Sequence, residues 1–169
     1  MSMPRPIADL FQTNTLPTLG PERRPEALSL PDCQAQLEAL ELPLQQRPLV
    51  HSALLLWHDH LGASHDISQG IQNSDGSFLH GIMHRREPDY SNAKYWFTLT
   101  GEHPSFAAIH SRAKAILKET ALSNYANPNW DPHAAVDAIS QAEPGSDEYA
   151  VWQEVQRIEF EELLERFCR

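Results

Sequence analysis

The stretch SFLHGIMHRREPDYSNAKYWFTL, Ser77 to Leu99, decides the fold class of this chain because it contains two consecutive helical patterns. Its first half predicts a helix over Ser77 to Glu87 that ends before Pro88, since proline disfavours helical backbone in the residue that precedes it. Its second half predicts a helix over Asn92 to Leu99. The apolar side chains of the first helix recur at helical steps, at Phe78, Leu79, Ile82 and Met83.

Helical patterns continue on both sides of this stretch. Before it, Ser29 predicts the start of a helix near residues 31–41, and Pro48 opens a longer helix with an apolar face. After it, start signals for three more helices lie at Pro104, at Asp131 with Pro132, and at Ser146. No alternating run of β-branched residues competes with these patterns. The sequence therefore predicts an all-α fold, with residues 31–169 forming a single compact domain of about six helices.

Residues 1–30 differ from the rest of the chain because they are rich in proline, which interrupts helices and supplies no amide donor. We expect an extended N-terminal arm here. Phe11, Leu16 and Leu19 offer apolar contacts to the body, so the sequence leaves open whether the arm is disordered or docked.

Length and charge exclude several classes of protein. A chain of 169 residues suits one domain, and a net charge of −10 argues against nucleic-acid or membrane-surface partners, which require basic surfaces. No apolar run is long enough to span a membrane, and Met1 to Leu10 lacks the pattern of a signal peptide. We therefore expect a cytoplasmic protein. Cys33 and Cys168 are too far apart in sequence to indicate a thiolate metal site.

Histidines form a stripe along the helix that opens at Pro48. His51, His58 and His65 are spaced seven residues apart, which places them along one side of a helix at the margin of its apolar face. Half-buried imidazoles at such a margin suit acid–base chemistry, and we take His58 and His65 as candidate catalytic residues. The alternative is that they are ordinary polar residues at the edge of an amphipathic helix.

A second group lies on the next helix, where His80, His84 and Glu87 share one side at positions i, i+4 and i+7. Two imidazoles and a carboxylate suit a divalent metal such as zinc, which would activate water. We therefore expect His80 and His84 to be metal ligands and Glu87 to be a ligand or a general base. The alternative is a solvated polar face.

Two arginines stand out because Arg85 and Arg86 fall on the apolar side of the same helix. A buried guanidinium requires a partner, which is either an anionic ligand or an internal carboxylate. We consider both, and we group Tyr90 and Lys94 with the arginines as candidate substrate-binding residues. Trp96 is predicted to lie in the core.

The strings SHDISQGI at Ser64 to Ile71, DGSFLHGIMHRREPDYSNAKYWF at Asp75 to Phe97 and GEHPSF at Gly101 to Phe106 resemble a family of uncharacterised microbial proteins, and that resemblance implies no activity. A second string, LLLWHDHLG at Leu54 to Gly62, is similar to the His-Asp helix of HD-domain metal phosphohydrolases, which are all-α. That resemblance would make His58 and Asp59 metal ligands.

These patterns lead to one functional hypothesis and two rivals. The leading hypothesis is a metal-dependent hydrolase with a pocket between the helices that carry Val50 and Phe78, where histidines and arginines handle a small anionic substrate. The rivals are a small-ligand-binding protein without catalysis and a structural helical partner protein. Motifs of serine hydrolases, phosphate-loop enzymes and dinucleotide-binding proteins are missing.

Overall fold

The computed structural model describes residues 3–126 and 128–169, and within these ranges the chain is helical and contains no strand. The predicted all-α class is confirmed, but the described chain folds into nine α-helices rather than about six. They are α1 (Arg5–Phe11), α2 (Leu30–Glu38), α3 (Arg47–Trp57), α4 (Leu61–Ser68), α5 (Ser74–Arg86), α6 (Tyr90–Thr100), α7 (Phe106–Leu117), α8 (Pro132–Gln141) and α9 (Asp147–Phe167). A short 3₁₀ helix, Ser123–Tyr125, lies between α7 and α8.

Helices α5 and α6 form a hairpin, and both begin before their predicted first residues. The Asn73 side chain accepts a hydrogen bond from the Gly76 amide at 2.8 Å, so α5 begins three residues before Ser77. The two helices pack so closely that a Cβ atom at Gly81 would lie only 2.7 Å from the Phe97 ring. A side chain at residue 81 would therefore displace the Phe97 ring, which favours glycine at this position.

The helix predicted to start at Pro48 is two helices, α3 and α4, and this corrects the proposed stripe of His51, His58 and His65. The chain turns at Asp59, whose φ of 66° lies in the left-handed region. The Asp59 carboxylate accepts hydrogen bonds from the buried guanidinium groups of Arg24 and Arg86, both at 2.8 Å. These tertiary ion pairs offset the backbone cost of the turn.

The proline-rich N-terminus also differs from the prediction, because it contains the helix α1 and lies against the core. Pro4 is the N-cap of α1 and Pro6 lies in its first turn. Proline is tolerated there because the amides of the first turn have no hydrogen-bond acceptor within the helix. Ile7, Leu10 and Leu19 are buried, and the Leu19 amide donates a hydrogen bond to the Tyr149 hydroxyl at 2.7 Å. Of the two possibilities that the sequence leaves open, the described part of the arm is docked.

Helices α3, α4 and α8 pack on the hairpin, and the other helices pack mainly on α3 and α9. Residues Val50–Trp57 of α3 are all buried, and α3 packs against both α5 and α9, the longest helix. On another side of α5, helices α4 and α6 lie against it and leave a shallow groove between them. No helix in the described ranges has both the length and the apolar character needed to cross a membrane.

Candidate metal centre

Three imidazoles meet in the groove between α4, α5 and α6. His65 of α4 and His80 and His84 of α5 each present a ring nitrogen, and these three atoms all lie within 4.8 Å of one another. The ring centroids of His65 and His80 are 4.7 Å apart, and those of His80 and His84 are 5.0 Å apart. One turn of α5 separates His80 from His84, and the break at Asp59 orients α4 so that His65 faces both.

His80 is the most buried of the three, with 2% of its surface exposed. Its ring is stacked on the Trp96 indole, with centroids 3.9 Å apart and an interplanar angle of 4°. Its Nδ1 atom is buried and has no hydrogen-bond partner among the described residues. Burial, and then the neighbouring His65 and His84, lower the pKa of His80 to about 4. His80 is therefore a neutral imidazole near pH 7, which is the form that binds metal ions.

The orientation of the His84 ring is set by two polar neighbours. Its Nδ1 lies 3.1 Å from Oε2 of Glu87, and because an ionised carboxylate can only accept, Nδ1 carries the proton. The other ring nitrogen, Nε2, is then an acceptor, and the Asn92 side-chain amide donates a hydrogen bond to it at 3.2 Å, so a metal ion bound at Nε2 would replace this hydrogen bond. A carboxylate behind a histidine in this way is typical of metal sites, where it fixes the tautomer of the ligand.

The spacing of the donors is compatible with a zinc ion after a small closure. Tetrahedral zinc binds imidazole nitrogens at about 2.0–2.1 Å and therefore holds them about 3.3 Å apart. The three nitrogens lie within 4.8 Å of one another, so any pair near that limit would move inward by about 1.5 Å on zinc binding. His65 is half-buried, its ring packs edge-on against those of His80 and His84, and no hydrogen bond within the described residues involves its ring nitrogens. A set of three imidazoles favours zinc, copper or nickel over magnesium or calcium, which prefer oxygen ligands.

His58 is used elsewhere in the fold. The Leu28 amide donates to its Nδ1 at 3.3 Å, and its Nε2 lies 2.9 Å from the Leu10 carbonyl, to which it donates. Both ring nitrogens therefore hold the N-terminal segment against α3, and burial lowers the pKa of His58. The predicted catalytic pair of His58 and His65 is thus divided between two parts of the molecule.

Both arginines on α5 are buried and paired with carboxylates of the protein itself, which is one of the two alternatives that the sequence leaves open. Arg85 donates to both carboxylate oxygens of Glu159, at 2.6 and 3.2 Å. Arg86 donates to Asp59 at 2.8 Å and to the Leu56 carbonyl at 2.6 Å. Arg86 lies about 160° around α5 from His84, so its guanidinium points away from the three histidines.

The other predicted substrate-binding residues lie along α6. Lys94 forms an ion pair with Asp137 of α8 at 2.6 Å, and both side chains are partly exposed. Tyr90 packs against the core, where burial raises the pKa of its hydroxyl. Trp96, predicted to be a core residue, is only half-buried and forms part of the site by stacking on His80.

Burial also acts on Asp59, the residue that the HD-domain resemblance would make a metal ligand. Burial alone would raise the pKa of this carboxyl, but the Arg86 charge and hydrogen bonds from Arg24 outweigh it and lower the pKa. Its oxygens are thus already occupied by two guanidinium groups.

Comparisons with protein families, with curated proteins and with solved structures found no match to this chain. Both resemblances stated from the sequence therefore stay predictions.

Proposed function

We propose that this protein binds one divalent transition-metal ion through His65, His80 and His84 and uses it to hydrolyse a small anionic substrate. The observation that carries the proposal is the convergence of three imidazole nitrogens within 4.8 Å, one of them on a buried ring with an unpartnered Nδ1. An unsatisfied buried nitrogen costs about 1–3 kcal/mol, and a metal ion bound at Nδ1 of His80 would offset that cost.

The charge balance of the site supports an anionic substrate. Three neutral imidazoles leave a divalent ion with its full charge, and such an ion lowers the pKa of a bound water to about 7. Because Arg85 and Arg86 are paired internally, we now assign recognition of the anion to the metal rather than to the arginines. A zinc ion held by three histidines would keep one position for water and can expand to five ligands, so it would accept an anionic oxygen of the substrate beside that water.

Glu87 has a revised role in this proposal. Its carboxylate lies 3.1 Å from His84 Nδ1, and 42% of its side chain is exposed. We assign it as a positioning residue that holds the His84 tautomer, rather than as a ligand or a general base. His58 has no role in the proposed chemistry. The cytoplasmic location inferred from the composition remains part of the proposal.

Metal binding is tested first, by titrating chelator-treated protein with zinc, nickel and manganese in a calorimeter. We expect one zinc or nickel ion per chain and weaker binding of manganese. His65→Ala should weaken zinc binding by about tenfold or more, since it removes a ligand. The matched control is His110→Ala, a half-buried histidine outside the cluster, which should bind zinc like the wild type.

Failure to take up any of the three ions, with no change in thermal stability when they are added, would overturn the proposal. Hydrolysis is then tested on zinc-loaded protein with panels of phosphate and carboxylate esters. A loaded protein without turnover, but stabilised by small anions, would instead be a ligand-binding protein without catalysis. A protein that binds neither metal nor anion would fit the role of a structural helical partner.

A further inference from the structure

A cleft of about 400 Å³ adjoins the three histidines in the same groove. It lies one helical turn towards the start of α5, because Ser77 in its floor precedes His80 by three residues. On the α4 side, Gln69 follows His65 by four residues and forms the rim. On the α6 side, the wall is Trp96, whose indole also contacts His80. None of the three histidines lines the cleft, but the cleft and the candidate metal centre share Trp96 and lie side by side.

The lining of the cleft is uncharged, as none of the described residues that form it carries an ionisable side chain. Ile71, Trp96 and Leu99 make its apolar part. Amides and hydroxyls make its polar part, at Gln69, Gln72, Asn73, Ser74 and Ser77. The volume of the cleft is within the range of small-molecule sites. Its lining offers hydrogen bonds to the polar edge of a ligand and apolar contacts to a flat face of the ligand.

We propose that this cleft selects the substrate of the hydrolase: a small ester with one anionic group on the metal and an uncharged, planar, largely apolar body against Trp96 and Leu99. This inference rests on the proposed function. In the reaction, water adds across the ester bond, its hydroxyl to the acyl or phosphoryl group and its hydrogen to the departing alcohol oxygen.

The uncharged lining also excludes classes of substrate. A second anionic group in the cleft would give up part of its hydration without meeting a cation, which costs binding free energy. Polyanions such as nucleoside triphosphates are thus disfavoured, and so are purely polar molecules, which would leave the Trp96 and Leu99 surfaces without contact. An aromatic ring buries apolar area against both.

The test measures binding of three simple carboxylates to zinc-loaded protein by calorimetry: acetate, benzoate and terephthalate. We expect benzoate to bind about tenfold more tightly than acetate, because its ring is removed from water. Terephthalate should lose that gain, since its second carboxylate meets no cation. In Leu99→Lys, which alters a side chain that is 49% exposed, terephthalate should become the tightest of the three.

Leu44→Lys is the matched control, because Leu44 is 80% exposed and outside the cleft, and it should keep the wild-type order. Two results would overturn this inference without contradicting the metal site. One is equal affinity of zinc-loaded protein for acetate and benzoate, and the other is an unchanged order of the three affinities in Leu99→Lys. If no zinc is taken up, the proposed function fails and this inference fails with it.

Discussion

The burial of His80 predicts a specific loss of stability in acid. Its pKa is lowered from 6.5 to about 4 in the folded protein, so in metal-free protein below pH 6.5 the unfolded chain binds a proton that the folded chain does not. The free energy of unfolding therefore falls as the pH is lowered from 6.5 towards 4, and His80 causes no loss of stability above pH 6.5. At 1.36 kcal/mol per pKa unit the loss is about 2 kcal/mol at pH 5 and about 3 kcal/mol below pH 4.

The assay is urea unfolding in the presence of a chelator at pH 7, 6 and 5, for the wild type and for His80→Gln, which does not titrate. The variant should lose about 2 kcal/mol less than the wild type between pH 7 and pH 5. A residual slope is expected in the variant because burial also lowers the pKa values of His51 and His58. Unchanged m-values are the control for comparable unfolding. Equal losses in both proteins would refute the reasoning.

Three further predictions concern the fold and the site. Asp59→Asn leaves two buried guanidinium groups without their carboxylate and should cost about 3–5 kcal/mol in urea unfolding, and a cost below about 1 kcal/mol would contradict this. Gly81→Ala places a methyl group 2.7 Å from the Phe97 ring and should lower the free energy of unfolding by about 1–3 kcal/mol. The control is Gly62→Ala in α4, whose methyl group meets nothing within 4 Å and which should not destabilise the protein. Equal effects of the two variants on urea unfolding would argue against the close α5–α6 contact. Glu87→Gln should weaken zinc binding about 10–100-fold, measured by competition with a chelator, and unchanged affinity would remove its positioning role.

The local features of the fold were predictable from the sequence. Three N-caps were identified, and in the structure Ser29, Asp131 and Ser146 accept hydrogen bonds from the first-turn amides of α2, α8 and α9. The apolar spacing in α5 predicted that Phe78, Leu79, Ile82 and Met83 are buried, which is confirmed, but it did not predict that every residue from Gly76 to Arg86 is buried. These predictions succeed because caps and helical periodicity depend on residues within a few positions of one another.

What the sequence determined by itself is therefore the all-α class, most helix starts and a short segment rich in candidate ligands. Only the tertiary structure decided that the chain turns at Asp59, that Arg86 is paired with it across 27 residues, and that His65 reaches His80 and His84. The physical reason is that distant guanidinium groups hold the Asp59 carboxylate and so stabilise the left-handed backbone at this residue. Such pairings leave no periodic signal along the chain, and the same turn moves His65 from the predicted stripe into the metal centre.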